Sequence, residues 1–252
     1  MNIATGLQKI DNLSPSKYLK ELIKENVNGK ITTYEVEESL NNYYENKNSK
    51  ERLELAQLEC DIVSTRLTQL LNNESFSFNY FYLQDIHNFL FRGINGFGKI
   101  AGKFRSYNIT KNEPILNNET VTYGDYLSIE RTLQYDFEEE KNIDWGTLSN
   151  DECVKKISKF TSAIWQMHPF GEGNARTVAV IIIKYLKYRG FDISNDQFER
   201  NALYFRNALV RSNYAKREDN ILPTLKYLHN FFENTLLGTN HELKNEEMQI
   251  LK

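Results

Sequence analysis

The sequence predicts a mainly α-helical protein with a single β-hairpin, and three observations carry that reading. Apolar residues recur at helical spacing in segment after segment, as in Val154, Ile157, Phe160 and Ile164. From Asn174 onward the run ARTVAVIIIKYLKYRG is apolar on nearly every face until Lys184, the pattern of a buried helix. Strand-like alternation is confined to one stretch, where Tyr107, Ile109, Ile115, Val121 and Tyr123 alternate with polar residues around an Asn117-Asn118 turn.

In chain order, residues 1–13 show no strong pattern. Ser14-Pro15 predicts a helix start, followed by an apolar stripe at Tyr18, Leu19, Leu22 and Ile23 that Asn28-Gly29 ends. Thr32 or Thr33 then caps a second helix with Val36 and Leu40 facing inward. Asn46 to Lys50 is polar and predicts a linker. Residues 51–72 predict a long helix carrying Leu53, Leu55, Leu58, Ile62, Leu67 and Leu71. Tyr82 to Phe91 predicts another, with His87 among Ile86, Phe89 and Leu90 as a core or capping residue. Gly93 to Lys99 spells most of a P-loop, but Ile100 stands where a magnesium-binding hydroxyl is needed and no strand precedes it, so it reads as a loop. Ile129, Leu133 and Phe137 mark a helix ending in the acidic run Glu138 to Glu140, read as solvated. Asp196 to Tyr214 predicts one helix and Leu222 to Leu236 the last amphipathic one. The charged tail from Asn240 onward is expected to fray.

Composition sets outer bounds. With 252 residues, 40% hydrophobic and 26% charged, the chain suits one large or two smaller soluble domains with a real core. A net charge of −3 argues against general nucleic-acid binding. Cys60 and Cys153 fit no metal or disulfide spacing, which suits a reducing cytoplasm. No signal peptide opens the sequence, and the run Val178 to Ile183 is too short to span a membrane. These features point to a cytoplasmic protein, and suit equally one delivered into a host cell.

The chemistry concentrates in His168-Pro169-Phe170-Gly171-Glu172-Gly173-Asn174-Ala175-Arg176-Thr177. Pro169 ends the preceding helix near His168. Asn174 is a good N-cap and Gly190 a good stop for the next helix. The ten residues therefore form a tight loop ending at a buried helix N-terminus, where free N–H groups and the helix dipole favour an anion. Gly171 and Gly173 permit close backbone approach and positive φ. Glu172 is a hard oxygen ligand of the kind that holds magnesium beside phosphates. His168 can be neutral near pH 7 and take a proton.

This segment resembles the signature of the Fic family, HPF-x-(D/E)-G-N-G-R-x-x-R. The resemblance implies a Fic-type helical bundle with a β-hairpin flap. It also implies a protein adenylyltransferase that moves AMP from ATP, with Mg2+, to a Ser, Thr or Tyr hydroxyl of a target protein. His168 would be the catalytic base and Phe170 the core anchor. Glu172 would hold magnesium. Gly171, Gly173, Asn174, Ala175 and Arg176 would line the nucleotide site. The stretch from Gly102 to Tyr126 looks like the flap, with Ile109, Ile115 and Val121 offered to an extended target segment by strand addition. Two positions depart from the signature: Ala175 replaces a glycine and Ala179 a second arginine, which leaves a kinase-like transfer or a catalytically weak nucleotide-binding module as alternatives.

Within an N-terminal helical segment, residues 1–48, the stretch from Tyr18 to Tyr44 weakly resembles the antitoxin-like helical modules found beside Fic domains, which suggests a toxin–antitoxin relationship or self-inhibition beside the plainer reading of a structural helical hairpin; residues 49–252 would form the Fic domain with its C-terminal helices. The inhibitory pattern (S/T)-x-x-x-E-(G/N) is absent: Thr33 to Glu37 comes nearest, followed by Glu38.

Overall fold

The structure, a computed structural model, describes residues 2–47, 52–193 and 196–250. It is mainly helical, with eleven α-helices among those residues: α1 (Asn2–Leu7), α2 (Lys17–Val27), α3 (Thr33–Lys47), α4 (Arg52–Asn72), α5 (Phe81–Phe91), α6 (Ile129–Lys141), α7 (Asn150–Met167), α8 (Asn174–Tyr188), α9 (Asp196–Arg200), α10 (Ala202–Arg211) and α11 (Lys226–Leu236). No described helix is long and apolar enough to cross a membrane.

α8 is the central element. Residues 179–183 are completely buried, and the helix packs against α4, α5 and α7. Its cationic Lys184 is buried too, because Nζ donates to the carbonyls of Leu70 (3.0 Å) and Asn73 (2.5 Å) at the end of α4. Carbonyls left unpaired at a helix C-terminus favour a cation there. α6 and α11 pack against α7, and α10 against α11. Ala4, Leu7, Ile10, Leu19, Leu22, Val36 and Leu40 join the same hydrophobic core as α5, α7 and α8. α1 is a helix that the sequence pattern does not announce, and it packs against α4, α9 and α10.

Some caps fall at or beside the expected residues, with Ser16 rather than Ser14-Pro15 starting α2. Ser16 Oγ accepts from the Leu19 N–H to start α2. Thr32 and Glu35 exchange bonds reciprocally at the start of α3. Ser149 and Glu152 form a capping box on α7. α3 runs through Lys47, and the rest of the expected linker lies outside the described residues.

Four expectations are corrected. The hairpin flap is absent as a ladder: between residues 107 and 123 there is one antiparallel bridge, Glu113 with Glu119, around a 3-10 turn at Pro114–Leu116. Pro114 has no N–H to give a ladder, and Asn117 and Asn118 coil the chain with φ of 53° and 65°. The three residues assigned to the flap do not stand out for docking, since Ile115 and Val121 are buried and Ile109 is partly so. The helix expected over Asp196 to Tyr214 breaks at Asn201, which leaves helical geometry at φ −116°, ψ 26°. The acidic run is not wholly solvated: Glu140 is buried, accepts from the Tyr185 hydroxyl at 2.7 Å, and is pushed by burial up to about 7. The tail does not fray through residue 250. Met248 is fully buried, Ile250 N–H donates to the Ile115 carbonyl (3.0 Å), and Asn117 Nδ2 donates to the Ile250 carbonyl (2.6 Å).

Candidate active site

α7 ends at Met167, and His168 takes the left-handed conformation with φ 45° and ψ 58°. That conformation is unfavourable for a residue with a Cβ, so the surroundings must hold it. Arg105 does so. Its backbone N–H donates to the Pro169 carbonyl at 2.8 Å. Its guanidinium donates to the carbonyls of His168 (2.8 Å), Met167 (3.1 Å), Tyr107 (2.6 Å) and Gly124. One buried cation thus ties the motif to both ends of the 105–124 segment.

The loop is closed from within. Asn174 Oδ1 accepts from the Phe170 N–H (2.9 Å), and its Nδ2 donates to the Phe170 carbonyl (2.7 Å). The Asn174 side chain is therefore committed to loop geometry rather than to a ligand. The N-cap of α8 is Gly173, not Asn174. Of the two motif glycines only Gly173 has positive φ, at 77°, and a Cβ there would lie 2.5 Å from the Phe91 ring. Gly171 needs no positive φ; a Cβ on it would come 3.0 Å from the Tyr107 hydroxyl.

Phe170 anchors the loop as expected, buried and stacked on His87 with ring centroids 3.9 Å apart. His87 does more than fill the core. Its Nδ1 accepts from the Gly102 N–H at 2.9 Å, so Nε2 carries the proton and donates to the Glu172 carbonyl at 2.9 Å. Burial draws its pKa down to about 4, so the ring stays neutral. The loop that mimics a P-loop thus has a structural task. Ile94 and Phe97 are buried, Phe97 stacks on Phe91 at 4.5 Å, and Gly102 fixes His87.

His168 itself is 5% exposed and its Nδ1 has no hydrogen-bond partner. Its ring packs against Tyr123 (4.3 Å) and edge-on to Trp165 (5.2 Å). Burial first, then the charges of Lys111, Arg105 and Arg206, hold its pKa well below 6.5. A neutral, buried imidazole is in the form that a general base requires.

His168, Glu172, Gly173, Asn174 and Ala175 line one cavity of about 40 Å³, together with Ile10, Asp11, Lys111, Glu113, Trp165 and Arg206. Two ion pairs lie among its lining residues. Lys111 Nζ lies 2.7 Å from Glu172 Oε2, and Arg206 lies 2.5 Å from the buried Glu113, which also accepts from the Tyr123 hydroxyl at 3.0 Å.

Arg176 does not face this cavity as a free cation. It is fully enclosed, donating to Gln8 Oε1 (3.0 Å) and Glu59 Oε1 (2.7 Å). Its Nε lies 2.7 Å from Asp11 Oδ2, close enough for an ion pair but too bent for a hydrogen bond. The guanidinium also lies over the Phe91 ring at 4.8 Å. Burial opposes its charge, but Asp11 and Glu59 outweigh that and raise its pKa. Ala179 is completely buried on α8 and lines none of this cavity.

The structure therefore brings His168, Glu172 and the start of α8 together and leaves Ile109, Ile115, Val121 and Arg176 outside the open part of the site. Sequence reasoning missed Arg105, Lys111, Glu113, Tyr123 and Arg206, as well as Gln8, Asp11 and Glu59. Each is a single polar residue far along the chain from the motif, with no spacing signal of its own.

A buried helix pair joined by a loop that presents a histidine, a carboxylate and a helix N-terminus is an arrangement suited to group transfer. Comparison with known proteins agrees: the Fic/DOC family model matches residues 77–186. Proteins of this family transfer nucleotide or other groups onto proteins. Two solved structures share the fold. One is the N-terminal FIC domain of Bep8, a VirB-translocated effector protein of Bartonella sp. 1-1C, with TM-score 0.57 and 19% identity over 75% of this chain and 88% of that one. The other is a FIC domain containing signalling protein of Bacteroides thetaiotaomicron, with TM-score 0.50 and 13% identity over 94% of this chain and 93% of that one. No curated protein matches by sequence.

Proposed function

We propose that this protein is a Fic-type nucleotidyltransferase that moves AMP from ATP to a hydroxyl side chain of a target protein. The observation that carries the proposal is the buried His168, neutral at physiological pH, with Nδ1 unpartnered. It lines the same cavity as the start of α8. In this reading His168 takes the proton of the target hydroxyl. The oxygen forms a bond to the α-phosphorus, the bond to the bridging oxygen breaks, and pyrophosphate leaves.

Glu172 suits a magnesium ion. Its side chain is 63% exposed, and the Lys111 ammonium already stands against Oε2 at 2.7 Å in the place of a cation. Magnesium commonly takes one or two carboxylates plus substrate phosphates, and when bound it would neutralise charge on the phosphates. The first turn of α8 supplies backbone N–H groups to the same anions.

One observation favours a restrained form. A 40 Å³ cavity holds a water molecule or two, not a polyphosphate, and Asp11 forms part of its wall. We propose that the N-terminal turn at Gln8–Asp11 restrains the site until it shifts. If it never shifts, the site stays closed to polyphosphate and the protein acts as a binding module without chemistry.

The test uses ATP labelled at the α- or the γ-phosphate, with lysate proteins as acceptors. AMP transfer labels protein from the α-position only. Label from the γ-position alone makes the reaction kinase-like, and no label from either supports the binding module. Ala175 bears on the first two outcomes, since one added methyl leaves more room for the usual nucleotide orientation than a long side chain would.

A further inference from the structure

We propose that Lys111 and Arg206, both outside the motif, form a cation clamp that takes the terminal phosphates of a nucleoside triphosphate. The clamp rests on the nucleotide reading above and names the residues that bind the polyphosphate within it.

The arginines nearest the motif are already engaged. Arg176 meets two carboxylates and an amide, with all three guanidinium nitrogens engaged and 2% of its surface exposed. Its charge is more than neutralised. Position 179, where a second arginine would stand, holds a buried alanine. Arg105 spends its guanidinium on four carbonyls. With the N-terminal turn in place, the motif therefore offers backbone N–H groups but no available cation.

Lys111 and Arg206 stand on the wall of the same cavity as His168 and residues 173–175. They come from different elements, the 105–124 segment and α10. Each has one carboxylate partner, where Arg176 has two. The Lys111 partner is Glu172, whose exposed side chain makes the pair weak and easily opened. A divalent cation taking Glu172 would release Lys111 toward the phosphates. Arg206 is held at one side by Glu113 and Asn207. The Asn207 contact uses one of the five N–H groups that a guanidinium carries and the Glu113 contact is an ion pair without hydrogen-bond geometry, so Arg206 can bind an anion without leaving Glu113. That matters because Glu113 is buried and would be left unpaired. Both cations act on His168, whose unpartnered Nδ1 is buried at the same cavity.

The clamp separates triphosphate from monophosphate, and that contrast tests it. Binding of ATP, inorganic tripolyphosphate and AMP would be measured by titration calorimetry and competition. The full-length chain and its Asp11→Asn variant, which lightens the acidic wall, would both be used. Lys111→Met is compared with the parent. Glu113→Gln/Arg206→Gln is compared with Glu113→Gln, so that no buried carboxylate is left without its partner. Each cation removed should lower ATP and tripolyphosphate affinity by roughly tenfold or more and change AMP affinity less than threefold. Melting curves establish that each variant is folded.

Undiminished ATP and tripolyphosphate binding in either comparison overturns the clamp and leaves the nucleotide reading standing. An equal loss for AMP also overturns it, because the residue would then shape the pocket rather than bind phosphates. Failure of both the parent and Asp11→Asn to bind any of the three overturns the nucleotide reading and the clamp together.

Discussion

His168 combines two properties that rarely meet in one histidine: a left-handed backbone and a buried ring with a free nitrogen. The first is imposed by Arg105, the second by the cavity. Replacing it with alanine should lower AMP transfer by about 10²–10⁴-fold, the usual contribution of base catalysis, while ATP affinity changes little. A transfer rate equal to the parent's would remove the base role. His87 offers a test that depends on pH. Its folded pKa of about 4 lies below the unfolded value near 6.5. The unfolded chain therefore binds the proton first, and the stability His87 contributes is lost as pH falls from 6.5 toward 4. At pH 5 the loss is about 2 kcal/mol, from a gap of 1.5 pH units below the unfolded value. His87→Gln should thus be clearly less stable than the parent at pH 7.5, and the difference should narrow by about that amount at pH 5. A constant difference across that range in denaturant unfolding would show that His87 titrates normally. At this scale the motif was legible because its residues are adjacent in sequence. The residues that complete the site were not, because folding gathers them from α4, the 105–124 segment, α10 and the N-terminal turn.

At the scale of elements, the junction of α7 and α8 depends on a contact that no motif records. Gly173 sits against Phe91 of α5, so a Cβ would meet the ring and would also have to adopt φ near 77°. Gly173→Ala should destabilise by roughly 2–4 kcal/mol, the sum of backbone strain and overpacking. In a Phe91→Leu background the packing part should vanish and the cost should fall to about 1–2 kcal/mol, the backbone part alone. An equal cost in both backgrounds, measured by urea unfolding, would place the strain elsewhere. The helices were legible where a stripe of apolar residues ran for ten or more positions with a cap at its start. α1 was not, because six residues carry too little pattern and such a helix is stable only through tertiary packing. The flap failed for another reason. Alternating apolar residues usually mark a strand with one buried face, and Ile115 and Val121 are both buried, but Pro114 and the left-handed Asn117 and Asn118 coil the chain between them out of a ladder, and Ile250 of the tail donates to the Ile115 carbonyl. Its alternation reflects packing beneath an irregular loop.

At the scale of the whole molecule, the two ends of the chain converge on the site. The tail pairs with the 113–119 turn that carries Glu113, and Asn245 accepts from Asn207, the neighbour of Arg206. The N-terminal turn reaches the site through Gln8 and Asp11 on Arg176. Carboxylates at Asp11, Glu113 and Glu172 line a cavity meant, in the reading above, for a polyanion. Their repulsion of phosphate is strong at such range, since two like charges 4 Å apart cost about 4 kcal/mol at an effective dielectric of 20. Glu113 and Glu172 each have a cation beside them that belongs to the cavity, whereas the cation beside Asp11 is Arg176, shared with Glu59. Asp11 is therefore the acidic residue whose removal should open the site at least structural expense: its side chain is 41% exposed, and Arg176 keeps Glu59 and Gln8. Asp11→Ala should raise ATP affinity several-fold or more and speed protein labelling from α-labelled ATP. Melting temperature should fall by only a few degrees. Salt supplies the control, because a gain that comes from removing an anion should shrink as ionic strength rises and screening sets in. If Asp11→Ala and Asp11→Ala/Glu59→Gln both bind ATP no better than the parent, the N-terminal turn is part of the scaffold, and the small cavity has some other cause.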